Sequence, residues 1–98
     1  MTIVDLRGTV VARARVELRD GRYSGCAEVG QMPEPYRALF RQYEAIINGQ
    51  VFNVLDQIED RIEEAALAAD FGDEGRIPVS DLQICPEAGT ISFVAGRS

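Results

Sequence analysis

The 98-residue sequence contains no histidine, no lysine and no tryptophan, and only two cysteines. Each absence excludes some chemistry. Without His, the chain lacks the usual general base near neutral pH and the commonest metal ligand. Without Lys, it has no Schiff-base nucleophile. All ten basic residues are therefore Arg, and sixteen acidic residues against them give a net charge of −6 and an isoelectric point near 4.5. An acidic chain is poorly suited to binding nucleic acid, because neutralisation of phosphate charge supplies most of that affinity. Cys26 and Cys85 are far apart in the sequence and form no CxxC pair, so they read as reduced thiols of a cytoplasmic protein. No apolar run approaches the ~18 residues of a membrane span. Asp5 and Arg7 interrupt the apolar N-terminal stretch, which does not read as a signal peptide.

What is present is ordinary globular material. At 46% hydrophobic and 27% charged, the composition is not that of a disordered chain. The length suits one domain over residues 1–98.

The clearest local signal lies in residues 8–30. Val10, Ala12, Ala14, Val16 and Leu18 alternate with Val11, Arg13, Arg15, Glu17 and Arg19, the period of a half-buried strand. Asp20-Gly21 is a two-residue type I′ turn signal, since both central positions need positive φ. That turn places Arg19 opposite Arg22 and fixes the remaining register. Leu18 then faces Tyr23, Val16 faces Gly25 and Ala14 faces Ala27 on an apolar face. Arg15–Cys26 and Arg13–Glu28 fall on the polar face.

Pro33 and Pro35 suit the first turn of a helix, where a missing N–H costs nothing. Apolar residues then recur at Tyr36, Phe40, Tyr43, Ile47, Val51, Val54, Ile58, Ile62 and Ala65. Steps of three and four average to the α-helical period of about 3.6. The phase runs unbroken through Asn48-Gly49, which predicts one helix over about 34–69, with two helices broken at Asn48-Gly49 as the alternative. Residues 70–81 read as a polar connection. A second hairpin then pairs Leu82, Ile84 and Pro86 with Ile91, Phe93 and Ala95 across a Pro86–Gly89 turn. The expected class is α+β: a ββαββ antiparallel sheet with one long helix packed on one face.

Such a helix, at ~1.5 Å per residue, would reach about 54 Å, whereas a ten-residue strand spans only about 33 Å. Twelve of the twenty residues from 36 to 55 are apolar, and a helix that is apolar on two sides is usually buried on two sides. The expected resolution is a homodimer with Leu39, Tyr43, Ile46, Phe52 and Leu55 at the interface. A fold-back at Asn48-Gly49 is the alternative.

Several apparent motifs carry no chemistry. Asp70-Phe71-Gly72 copies the metal-binding triplet of protein kinases, but a phosphate loop and a His-Arg-Asp are missing. Asp70–Asp81 mimics a calcium loop at positions 1, 6, 8 and 12. However, Gly72 at position 3 offers no side-chain ligand and no exiting helix follows Pro78. No catalytic residue, metal ligand or cofactor is assigned, and the chain reads as non-enzymatic.

Charge is more informative. Between residues 56 and 74, Asp56, Glu59, Asp60, Glu63, Glu64, Asp70, Asp73 and Glu74 face a single Arg61, for a net of −7. Glu63 and Glu64 close to a helix C-terminus oppose the helix dipole, so helix stability does not explain them. Arg13, Arg15, Arg19 and Arg22 cluster on the first hairpin. The expected function is a small protein-interaction module, an inhibitor or regulator. Its partner surfaces would be Glu59, Asp60, Glu63 and Glu64 with Arg13 and Arg15. The alternatives are nucleic-acid binding through the hairpin arginines, or small-molecule binding in a dimer-interface pocket around Tyr36, Tyr43 and Phe52.

Overall fold

A computed structural model describes residues 1–49, 52–72 and 75–96. Among them, six antiparallel strands, β1 (Thr2–Val4), β2 (Val10–Arg19), β3 (Arg22–Glu28), β4 (Ala68–Asp70), β5 (Arg76–Cys85) and β6 (Thr90–Ala95), close into a barrel in the order β1-β2-β3-β6-β5-β4. Two helices, α1 (Glu34–Gly49) and α2 (Leu55–Glu64), lie between β3 and β4, with one 3-10 turn at Phe52–Val54. The class is α+β, and no helix is long and apolar enough to cross a membrane among these residues.

The first hairpin has the register its turn demands, from Arg13 opposite Glu28 to Arg19 opposite Arg22. Asp20 and Gly21 both take positive φ, 52° and 79°. The second hairpin pairs Ile84 with Ile91 and Cys85 with Thr90. Cys26 and Cys85 flank Thr90 from opposite sides, so two strand spacings, about 10 Å, separate them. That exceeds the ~7 Å reach of a disulfide, and both thiols are free.

The ββαββ expectation fails in two respects. First, the sheet has six strands instead of four. β1 and β4 contain three residues each, too few to show a period of two, yet they pair with one another as Ile3–Ala69 and close the barrel. β5 also begins at Arg76, inside the segment expected to be a connection. Second, the single long helix is two. α1 ends at Gly49 and α2 opens at Leu55, and the two helices pack against each other. An unbroken helix of about 54 Å would exceed the 39 Å longest dimension of the molecule. The phase continues across the break because both helices turn an apolar face to the same core. Residues 65–69, expected to be helical, leave the helix at Ala66, whose φ is 51°. Helix propensity in this alanine-rich stretch yields to strand pairing with β1.

The antiparallel order puts the β1–β2 loop and the β5–β6 turn at the same end of the barrel, and α1 spans that end. At its start, the Tyr36 hydroxyl donates to Asp5 at 2.8 Å. Farther along, the buried Glu44 carboxylate accepts the backbone N–H groups of Glu87 and Ala88 at 3.0 and 3.2 Å. Inside, Ile3, Ala69, Ile84 and Phe93 are completely buried, continuous with Phe40, Tyr43, Ile58 and Ile62 of the helices. Alanines at 12, 14 and 69 leave room in a narrow barrel for Phe93 and the isoleucines.

Two substitutions test this arrangement by denaturant unfolding. A Cβ on Gly25 would lie 1.9 Å from the Arg15 carbonyl oxygen, so Gly25→Ala is expected to destabilise by about 3 kcal/mol. Glu44→Ala strips the β5–β6 turn of two charge-assisted bonds and is expected to cost about 2 kcal/mol. A change below about 0.5 kcal/mol would show, for Gly25→Ala, that the strands can make room for a Cβ and, for Glu44→Ala, that the turn does not depend on the carboxylate.

Candidate functional site

The carboxylates of α2 lie beside a groove of about 580 Å³ between the end of α2 and β5. Ile62, Leu67, Val79 and Leu82 supply its apolar lining, and Asp5, Glu63 and Asp81 its carboxylates. Arg76 lines it as well. Leu6, 80% exposed, stands at its rim.

Each wall has a local cause. Asp5 is fixed in the β1–β2 loop by the N–H groups of Arg7 and Thr9, both at 2.9 Å. The hydrogen bond from Tyr36, followed by those two N–H groups, holds its carboxyl below the usual range. Asp81 sits where the β5–β6 register shifts, between Ser80 and Gln83. Its φ of 51° is rare for a residue other than glycine. Arg22 holds it there: the guanidinium donates to the Asp81 carboxylate at 2.8 Å, to its carbonyl at 3.0 Å, and to the Ser92 hydroxyl at 3.2 Å.

Glu59 lies one helical turn before Glu63, close to Asp81. Burial, then the charges of Asp81, Asp56, Asp60 and Glu63, push its carboxyl above the ordinary value. Burial also pushes the Tyr43 phenol up to about 12, helped by the charges of Glu59 and Asp81. The acidic surface therefore runs from α2 across to β5, with like charges crowded together.

The expected partner-binding residues divide. Glu63 lines the groove and Glu59 lies next to it, whereas Asp60 and Glu64 are exposed on α2 outside it. Asp73 and Glu74 lie outside the described residues. Arg13 and Arg15 are exposed on β2, on the barrel's outer face. Arg19 bonds Glu17 at 3.1 Å, and Arg22 is engaged by Asp81. Of the expected dimer-interface residues, Tyr43 and Ile46 are buried in the chain's own core, and Leu39 and Leu55 pack half-buried against it. The Phe52 side chain lies outside the described residues. Tyr36 and Tyr43 do not line the groove.

Three residues escaped the sequence reading. Glu44 had a faint signal, a carboxylate beside the apolar stripe of α1. Asp5 and Asp81 had none, because their partners are remote in the sequence and come close only when the barrel closes. Among the described residues, no group of three or more His, Cys, Asp or Glu is placed to hold a metal. No protein-family model matches this chain, and no curated protein or solved structure matches it.

The crowding around Glu59 has a pH signature. Its folded pKa lies above the unfolded one, so the protonated form favours the fold. That contribution is complete below the unfolded value and is lost as pH rises through the folded value. Glu59→Gln is therefore expected to be more stable than the native chain at pH 7, by no more than about 1 kcal/mol for a half-buried group that solvent still screens, and to melt higher. The two melting curves should converge below about pH 4. Equal melting temperatures at every pH would show that the carboxylates do not repel one another.

Proposed function

We propose that the chain is a small non-enzymatic protein-interaction module that acts as a homodimer. It engages a basic partner protein through the groove between α2 and β5 and thereby inhibits or regulates it. The observation that carries this reading is a juxtaposition. An apolar strip of Ile62, Leu67, Val79 and Leu82 is bordered by the carboxylates of Asp5, Glu63 and Asp81, with Glu59 alongside. Such a strip suits a segment that presents arginines or lysines beside apolar side chains. The apolar contacts would supply affinity, and the charges would supply orientation and association rate. Glu63 and Glu64 give the helix no obvious stability, since they occupy its last turn, where the dipole disfavours them. Function is the better reason for their presence.

Nucleic-acid binding has less support. Arg22 is held by Asp81 and Arg19 bonds Glu17, which leaves Arg13 and Arg15 of the four hairpin arginines. The two free thiols, Cys26 and Cys85, suit a cytoplasmic location.

The probe is a labelled amphipathic peptide of alternating arginine and leucine, followed by fluorescence anisotropy. Saturable binding is expected, at least tenfold weaker for Glu59→Arg/Glu63→Arg, and weakened by added salt. Arg13→Glu/Arg15→Glu should leave it unchanged. Peptide binding that ignores the glutamate reversals, or a low-salt mobility shift with nucleic acid that Arg13→Glu/Arg15→Glu abolishes, would overturn the assignment.

A further inference from the structure

The barrel closes only over part of β2. β1 ends its pairing at Met1, which exchanges backbone hydrogen bonds with Ala14: Ala14 N–H to the Met1 carbonyl at 3.0 Å, and the Met1 amino group to the Ala14 carbonyl at 3.1 Å. Beyond it, β2 continues to Arg19, paired on one side with β3 and, among the described residues, with no strand on the other. Because Arg19 and Arg22 flank a two-residue turn, the odd-numbered residues of β2 bond toward β3. The even-numbered ones bond the other way, as Ala14 does with Met1. The N–H and C=O groups of Val16 and Leu18 therefore point out of the sheet edge. Glu17, Leu18 and Arg19 are exposed there, and Leu18, at 56%, is one of the most exposed large apolar side chains.

An edge of this kind is a template for another strand. We infer that the strand is β2 of a second copy, paired antiparallel across a two-fold axis with Leu18 opposite Leu18. The charges select that register. With Leu18 opposite Leu18, each Glu17 stands opposite Arg19 of the second copy, so the exposed Glu17–Arg19 pair within each strand extends by symmetry into two cross-strand ion pairs. Leu18 reciprocally exchanges its N–H and C=O with its counterpart, and the two exposed leucines cover each other. A shift that sets Leu18 opposite Val16 would place Glu17 against Glu17 and Arg15 against Arg19. A further shift would set Leu18 against Ala14, whose edge groups are already bonded to Met1. One register of the three is both open and attractive.

This deepens the homodimer part of the proposed function and places the interface on the edge of β2, away from the helices. It rests on that reading. The peptide groove is a separate surface, so the two are tested apart.

The test is sedimentation equilibrium of the untagged chain from about 10 μM to about 1 mM, because an N-terminal tag would lie along this edge. The mass is expected to rise with concentration from 10.8 kDa toward twice that value, and the Leu18 amide to exchange with deuterium more slowly as it does. Leu18→Lys and Glu17→Arg should each weaken association about tenfold without changing the thermal melt at low concentration. The swapped double variant Glu17→Arg/Arg19→Glu should restore it. Glu63→Arg, which impairs the groove, should leave the mass unchanged, and the edge variants should leave peptide binding unchanged. A constant 10.8 kDa up to about 1 mM would overturn the inference. So would a dimer that resists both edge variants and yields to Leu39→Glu or Leu55→Glu.

Discussion

The structure depends on the pairing of two three-residue strands, Thr2–Val4 and Ala68–Asp70. The two hairpins already supply four strands with apolar inner faces. Without β1 and β4 those strands form an open, twisted sheet, whose inner face needs a cover as wide as the sheet itself. Setting Ile3 against Ala69 wraps the sheet onto itself, so that the inner faces bury one another. The helices then have a smaller task, to span one open end. This explains why a chain of 98 residues can house so apolar a helical segment without a long helix lying in solvent.

Closure also assembles the acidic groove. β4 follows α2 after only a short turn, so pairing β4 with β1 brings the end of α2 beside β5. Asp5, in the loop after β1, and Asp81, at the irregularity of β5, then join Glu63 around one apolar strip. Arg22 reaches Asp81 from the far hairpin and holds the irregular backbone in place. Burial of Glu59, and then the charges of the carboxylates around it, raise its pKa, so its ionised form costs the fold some stability. Surfaces kept at some loss of stability are commonly those that a protein uses.

The hairpins were legible because two independent local signals agreed. Alternation from Val10 to Leu18 defined a face, and Asp20-Gly21 defined the register that kept the face intact. The helices were legible in position but not in number. The spacing from Tyr36 to Ile62 records which residues face the core, and two packed helices can satisfy it as well as one. The same spacing marked Tyr43, and the wider apolar arc Ile46, as apolar contacts without revealing that both pack in the chain's own core. Glu59 and Glu63 were found from charge density alone. Asp81 was not, since its importance comes from a positive φ and from an arginine in a different hairpin.

The sequence by itself determined the features set by neighbours in the chain: turn chemistry, strand alternation, helical period and the concentration of negative charge between residues 56 and 74. Those are short-range consequences of backbone sterics and side-chain polarity. Only the tertiary structure decided that the sheet closes, that the helix breaks, that residues 65–67 leave the helix so that Ala68–Asp70 can pair as a strand, and which carboxylates share a groove. Each of these outcomes depends on contacts between residues distant in the sequence. In each, burial and pairing outweighed local preferences worth about 1 kcal/mol or less per residue.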